Sequence, residues 1–171
     1  LQEAIMRVRM LPIRQVFQRF PRMVRDLAKQ KGKEVELTFS GEDTEIDKTV
    51  IDALGDPLLH LIRNSIDHGI ELPEVRRAAG KERSGNIHLS ARQESSHIVI
   101  AVRDDGAGMK ADRIRKKAVE KGLIGADQPI SSEEVYGLVF VPGFSTAEEV
   151  SETSGRGVGL DVVKNVISDF N

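Results

Sequence analysis

The sequence contains no cysteine, so disulfides and zinc sites built on thiolates are excluded, and nothing in it requires an oxidising compartment. No apolar run approaches the roughly 20 residues that cross a bilayer, and we therefore expect no membrane insertion. Aromatic residues are scarce, at 4% of the 171 positions, which gives little material for stacking on nucleic-acid bases. These absences favour a cytoplasmic globular protein.

Charge is distributed unevenly along the chain. Residues 1–33 hold nine Lys and Arg against two Asp and Glu, although the formal net charge of the whole chain is −2. A basic segment could bind nucleic acid, but these arginines are spread among helical apolar positions and are not clustered with aromatics. A solvated helix face is the favoured interpretation, and we expect no nucleic-acid binding.

Apolar spacing predicts the first elements of the chain. Residues 1–31 have helical spacing that Pro12 and Pro21 interrupt, because each proline removes an amide donor, so three helical pieces are expected. Alternation of apolar and polar residues then predicts strands over 34–39 and 45–48.

Two helices are expected next. A short one around 49–54 should end at Gly55. A second should begin at Asp56 and Pro57, where a carboxylate cap precedes a proline at the first helical position, and should run to about His68.

The second half of the chain has its own periodic segments. Alternation predicts an antiparallel hairpin with a tight turn, and glycine-rich and capping patterns divide the rest. The expected elements are strands over 86–94 and 97–104, helices near 111–121 and after a capping box at 131–134, a long loop over 140–159 and a last helix over 160–170.

An acidic residue followed by alternate glycines ends the hairpin. Asp104 falls at the end of a strand, and Gly106 and Gly108 allow backbone to approach a flat ligand closely. A carboxylate there can accept a hydrogen bond from an exocyclic amine. Taken alone the pattern is weak, since acid-glycine turns end strands in many α/β proteins.

Three alternate glycines precede the last helix. In the sequence GRGVGL over 155–160, free amides and the helix dipole suit a phosphate. Leu160 stands where a dinucleotide-binding motif has its last glycine, and the chain has no Gly-Lys-Ser/Thr sequence of a Walker loop. Those two phosphate-binding folds are therefore disfavoured.

The helix ending near His68 has a polar line beside an apolar face. His60, Asn64 and His68 recur every fourth residue, whereas the apolar face includes Leu58 and Ser65. Asn64 offers a neutral carbonyl oxygen to a hard cation such as Mg²⁺. For each residue taken singly, ordinary packing or solvation is the favoured explanation.

Together and in this order, the three segments resemble the asparagine box and the two glycine boxes of the ATPase superfamily of histidine kinases, HSP90, DNA gyrase and MutL. The stretch DPLLHLIRNSIDHGIE over 56–71 is similar to the asparagine box of chemotaxis histidine kinases of the CheA type. VPGFSTA over 141–147 and SGRGVGLDVV over 154–163 are similar to their lid and second glycine box. RMLP over 9–12 and RFPR over 19–22 resemble the exit of their dimerisation domain, so the resemblance covers essentially the whole chain.

The resemblance implies a fold and a domain organisation. The fold would be an α/β two-layer sandwich of the Bergerat type, with a mixed, mostly antiparallel sheet and helices on one face. ATP would bind under a lid over 140–159. Residues 1–31 would be the end of the dimerisation helices and a linker, and residues 32–171 the ATP-binding catalytic domain, truncated before its last strands.

The resemblance also implies roles for individual residues. Asp104 would bind the adenine amine, Asn64 would hold Mg²⁺, and His60 would orient the attacking imidazole or accept its proton, a role for which the near-neutral reference pKa of the histidine side chain is suited. Further nucleotide contacts would come from Arg63, Asp67, His68, Asp105, Gly106, Gly108, Met109, Ser145, Thr146, Gly155, Arg156, Gly157, Val158, Gly159 and Leu160.

The implied reaction is transfer of the γ-phosphate of ATP to a histidine on a separate phosphotransfer domain, in two-component chemotaxis signalling. His88 and His97, in the predicted hairpin, are expected to be structural. In the whole protein, a CheW-like coupling protein, chemoreceptors and response regulators would be partners, and the N-terminal helices would form a homodimer.

Two alternatives stay open. One is an ATP-hydrolysing clamp like MutL or HSP90. In those proteins the asparagine box has a glutamate that activates water, where this chain has His60, and the difference favours transfer over hydrolysis. The other is a nucleotide-sensing module without chemistry, which retention of His60 and Asn64 disfavours.

Overall fold

The computed structural model describes residues 9–142, 144 and 160, and the chain divides into two compact units, Leu1–Gly108 and Met109–Asn171. The described elements of the first unit are β1 (Met10–Pro12), α1 (Arg14–Phe17), α2 (Phe20–Gln30), β2 (Val35–Ser40), β3 (Glu45–Asp47), α3 (Lys48–Asn64), a π-helical turn (Ser65–Gly69), α4 (Pro73–Ala78), β4 (Gly85–Glu94) and β5 (His97–Asp104). Those of the second are α5 (Ala111–Glu120), α6 (Ser132–Gly137) and a 3-10 turn (Leu138–Phe140).

A mixed three-stranded sheet in the order β2-β4-β5 forms the framework of the first unit. Strands β2 and β4 are parallel, with Val35 opposite Gly85, and β4 and β5 are antiparallel, with Ile87 opposite Asp104. Ile87 and Leu89 are buried on one face, as alternation requires. The predicted hairpin is confirmed, and β1 and β3 add a separate antiparallel pair.

Helix α3 is continuous where two helices were expected. Its first turn is capped by Asp47, whose carboxylate accepts the amide of Thr49 at 2.8 Å. Gly55 and the buried Pro57 both lie inside the helix. An interior proline costs about 3 kcal/mol in an ordinary helix, but here a long apolar face packs on the core and offsets the loss. The predicted end at Gly55 and new start at Asp56 were therefore wrong.

The segment before the sheet contains one strand and two helices among its described residues. The strand β1 pairs with β3, so the helix expected up to Pro12 was wrong there, and a proline is acceptable in such an edge strand. Pro21 does not interrupt α2, because it lies in the first turn, where an amide would have no partner. Val16, Phe17 and Phe20 are buried, as their helical spacing predicts.

One hydrophobic core joins these helices to a single face of the sheet. The ring of Phe17 stacks on that of Phe39 from β2, with centroids 5.6 Å apart. Val24 from α2, Ile62 from α3 and Leu89 from β4 belong to the same buried cluster. Helices on one face of a mixed sheet agree with the predicted fold. The assignment of residues 1–31 to dimerisation stays a prediction, although their described part shares this core.

The second unit has a smaller core of its own. Ile114 and Ala118 on α5 are buried with Val135 on α6. The Oγ of Ser131 accepts the amide of Glu134 at 3.2 Å, and the Glu134 carboxylate accepts the amide of Ser131 at 2.8 Å. The predicted capping box is therefore confirmed. Within the part of the chain that the structure describes, no helix is long and apolar enough to span a membrane.

Candidate functional site

The carboxylate of Asp104 lies at the end of β5 and is held by two donors. The Ser65 hydroxyl donates to Oδ2 at 2.9 Å, and the amide of Gly106 donates to Oδ1 at 3.0 Å. A carboxylate has about four lone-pair positions, so both oxygens keep capacity for a ligand. The residue predicted to recognise the base is thus oriented by its own surroundings.

Two glycines allow the backbones around this carboxylate to touch. The amide of Ala107 donates to the carbonyl oxygen of Gly69 at 2.9 Å. A Cβ on Gly106 would lie 2.2 Å from that same oxygen, and a Cβ on Gly69 would lie 3.1 Å from Oδ1 of Asp104. Any larger residue at Gly106 would therefore displace the turn that carries Asp104.

The segment that presents Ser65 is a π-helical turn. The amide of Ile70 donates to the carbonyl oxygen of Ser65 at 2.7 Å, a bond between residues five apart. Lys33 supports the turn, because its ammonium donates to the carbonyl oxygens of Ile66 and Asp67. Burial lowers the pKa of Lys33, and the nearby Asp67 carboxylate acts in the opposite direction. The turn is thus held both by its own backbone hydrogen bond and by the Lys33 ammonium.

The polar line of α3 follows the helical period only as far as Asn64. His60 and Asn64 are half-buried and lie one turn apart, whereas His68 comes after the change of hydrogen-bond pattern and is exposed. Asp67 is half-buried, and its Oδ1 lies 3.2 Å from Nζ of Lys31, an ion pair without the alignment of a hydrogen bond. The roles proposed for Asp67 and His68 stay predictions.

Four other residues predicted to contact the nucleotide range from anchored to exposed in the structure. Oδ1 of Asp105 accepts the backbone amide of Asn86, the second residue of β4, at 2.9 Å, so this carboxylate is anchored to the sheet. Gly108 has a φ of +69°, a region that favours glycine, and Met109 is 58% exposed. Arg63 lines an open groove of about 400 Å³ beside α2. Their contacts with a nucleotide stay predictions.

The predicted phosphate end falls largely beyond the described residues. Ser145, Thr146 and the glycine segment 155–159 lie outside them, as does most of the expected last helix. Leu160 is described, and it is half-buried against the core of the second unit. Among the described residues, no group of three or more His, Asp or Glu side chains could hold a metal ion.

Sequence reasoning missed three residues of this site. Periodicity assigns Ser65 to an apolar face and Gly69 to a helix end, and neither assignment indicates contact with Asp104. Arg76 carries no motif at all, yet it is only 1% exposed and donates to Asp105 at 2.9 Å. Ser65 and Gly69 lie within the stretch that resembles an asparagine box, so a signal existed for those two.

Comparison with protein families gives this site its class. A family model described as "Histidine kinase-, DNA gyrase B-, and HSP90-like ATPase" matches residues 49–171. That span begins in α3 and includes the polar helix, the Asp104 turn and the glycine segment. The chain belongs to this ATPase family, and the predicted superfamily and its α/β sandwich fold are confirmed.

Within that class, the chain is similar to named chemotaxis proteins. It is 53% identical to the chemotaxis protein CheA of Bacillus subtilis, over 99% of this chain and 26% of that protein. It is also 53% identical to CheA of Salmonella typhimurium, over 99% of this chain and 25% of that protein. The chain therefore spans about a quarter of the length of these relatives.

Among solved structures, the histidine kinase domain of a blue-light-activated kinase from Erythrobacter litoralis is a distant match to this chain. It matches with a TM-score of 0.42 and 15% identity, over 75% of this chain and 51% of that chain. The family assignment depends on the sequence matches and not on this distant likeness.

Proposed function

We propose that the chain is the ATP-binding, phosphoryl-transferring part of a chemotaxis histidine kinase. The observation that carries the proposal is the Asp104 carboxylate, oriented by Ser65 and Gly106 at the end of a strand beside the polar helix α3. The similarity to CheA proteins supports the class of reaction.

Adenine recognition would depend on hydrogen-bond direction. Asp104 already accepts from two donors, and it offers further lone pairs to an exocyclic amine. Adenine has an amine at that ring position, whereas guanine has a carbonyl oxygen, which the carboxylate would repel. The site should therefore prefer adenine nucleotides.

The phosphate end would combine one metal ligand with backbone amides. Magnesium usually keeps several waters and takes only one or two protein ligands besides substrate phosphates. The single amide oxygen of Asn64 fits this requirement, and a bound Mg²⁺ would neutralise charge on the phosphates. The glycine segment 155–159 would supply further amide donors.

His60 would act on the imidazole of the acceptor histidine. It lies one helical turn before Asn64 and is half-buried, so it is held close to the phosphate end of the proposed site. A near-neutral base can orient an attacking imidazole or take its proton, and such a group typically contributes about 10²- to 10⁴-fold in rate. A water-activating hydrolase of the same superfamily would instead use a carboxylate.

The acceptor would be a histidine on a separate phosphotransfer domain. Both ring nitrogens of His88 are hydrogen-bonded, to the hydroxyls of Thr38 and Ser40 at 2.9 Å each. His97 contacts the Ser96 hydroxyl at 3.1 Å in the hairpin turn. These contacts favour structural roles for both. Dimerisation through the N-terminal helices, a cytoplasmic location and the chemotaxis partners belong to the same proposal.

A labelling experiment tests the proposal directly. The chain is incubated with γ-labelled ATP, Mg²⁺ and a purified phosphotransfer domain of the CheA type, and the label is followed on protein and as free phosphate. Acid-labile, base-stable label should appear on the acceptor. His60→Ala and Asn64→Ala should abolish it, whereas His97→Ala, in the exposed hairpin turn, should transfer at the wild-type rate.

Other outcomes would overturn the proposal in distinguishable ways. Release of free phosphate at a comparable rate, without labelled acceptor, would indicate the hydrolase. Bound but unreacted ATP would indicate a nucleotide-sensing module. Wild-type transfer by Asn64→Ala would remove the metal-binding role assigned to that residue.

A further inference from the structure

We propose that Arg76 and Lys81 are positioning residues for base recognition, which hold the turn after Asp104 in the conformation that selects adenine. The inference rests on the proposed function and extends it to residues that contact no nucleotide themselves. Neither residue belongs to a motif that the sequence singled out.

Arg76 projects from α4 into a fully enclosed position and is 1% exposed. Its guanidinium donates to the carboxylate of Glu71 at 3.0 Å and to that of Asp105 at 2.9 Å. It also donates to the carbonyl oxygens of Glu82 at 2.7 Å and Ser84 at 3.3 Å. One side chain therefore ties the segment after the π-helical turn, the approach to β4 and the turn after β5.

Lys81 fixes the backbone of the same turn. Its ammonium donates to the carbonyl oxygens of Asp105 at 2.9 Å and Gly106 at 2.8 Å, and to the carboxylate of Glu71 at 2.7 Å. The Asp105 carbonyl and the Gly106 amide belong to one planar trans peptide and point in opposite directions, so holding that carbonyl at Lys81 turns the amide toward Asp104. The orientation of the recognition carboxylate is thus set by a cation on the other side of the turn.

The charges of this cluster balance. Two cations, Arg76 and Lys81, face two carboxylates, Glu71 and Asp105. Arg76 is buried, and a buried charge is costly unless it is paired and hydrogen-bonded, as this one is by Glu71 and Asp105. Asp104 remains outside the balanced cluster, so its negative charge is available to a ligand.

Packing alone does not hold this turn. Asp105 and Ala107 are exposed and Gly106 has no side chain, so the turn buries little apolar surface. Its described restraints are hydrogen bonds, and most of them come from Arg76, Lys81, Asn86 and Gly69. Loss of either cation should therefore let the turn move while the core stays intact.

A base-selectivity measurement separates positioning from general stabilisation. Binding of ATP and of purine riboside triphosphate, which lacks the exocyclic amine, is measured by titration calorimetry on the chain and its variants. Arg76→Met and Lys81→Met should reduce the preference for ATP about tenfold, the loss expected for one charge-assisted hydrogen bond. Arg77→Met, an exposed arginine on the same helix, should leave the preference unchanged. Thermal unfolding of each variant shows the folded fraction.

The outcomes are distinct. A variant that binds both nucleotides more weakly by the same factor, or that keeps the wild-type preference, would overturn the positioning role. If Arg76→Met does not fold, Lys81→Met decides in the same way. A wild-type chain that binds both nucleotides equally would instead refute adenine recognition by Asp104, and with it the basis of the inference.

Discussion

The substitution Gly106→Ala should cost about 2 kcal/mol of free energy, divided between the free energy of unfolding and the free energy of ATP binding. The new Cβ would lie 2.2 Å from the carbonyl oxygen of Gly69, so the turn must retreat by about 1 Å to reach an ordinary contact. That movement breaks the bond from Ala107 to Gly69 and the bond from Gly106 to Asp104, which measure 2.9 and 3.0 Å. Each contributes about 1 kcal/mol.

The assay is urea unfolding together with calorimetric titration of ATP. If the whole loss fell on binding, the dissociation constant for ATP would rise about 30-fold. Gly55→Ala is the matched control, because its Cβ meets only a guanidinium nitrogen of Arg19 at 3.4 Å inside α3. It should raise the free energy of unfolding by about 0.5 to 1 kcal/mol and leave ATP affinity unchanged. The reasoning fails if Gly106→Ala changes neither quantity by more than about 0.5 kcal/mol.

Three further changes probe other contacts. Ser65→Ala removes a hydrogen bond to the recognition carboxylate and should weaken ATP binding about tenfold by calorimetry, with unaltered affinity as the contrary result. Burial raises the pKa of Glu71, but hydrogen bonds from Lys81 and Arg76 outweigh it and hold the pKa below its usual value of 4.5. The resulting stabilisation is present above pH 4.5 and lost as pH falls through the lowered pKa, so urea unfolding of Glu71→Gln and wild type should converge there, and parallel curves would contradict this. Ser131→Ala should lower the unfolding free energy of the second unit by about 1 kcal/mol, and an unchanged midpoint would show that the cap adds nothing.

Short sequence patterns were sufficient to predict the hairpin, the capping box and the turn after β5. The hairpin was predictable because its strands bury one face, and a period of two then defines the pairing of Ile87 with Asp104. The capping box at Ser131 and the acid-glycine turn at Asp104 are likewise short patterns with a direct physical meaning. Each of these features lies within one turn or between two consecutive strands.

Long-range contacts account for what could not be predicted. Lys33 contacts the π-helical turn across 34 residues of sequence, and Arg76 contacts Asp105 across 29 residues. No spacing rule connects such positions. The break expected at Pro57 failed for a related reason, because tertiary burial of the face of α3 outweighed the local signal. Helix propensity describes an isolated segment, whereas in the folded protein the burial of apolar side chains determines which conformation that segment adopts.

The same long-range contacts couple nucleotide affinity to the integrity of the fold. The Asp104 carboxylate depends on Ser65, which is presented by a turn that Lys33 supports, and on a backbone that Arg76 and Lys81 restrain. Each of these contacts joins residues at least 25 positions apart in sequence, so we expect none of them to persist in the unfolded chain. The base site therefore exists only in the folded state. A ligand that binds this state alone stabilises it by about 2.7 kcal/mol at 100 times its dissociation constant, so a substitution that loosens the turn should reduce both ATP affinity and the protection that ATP gives against unfolding.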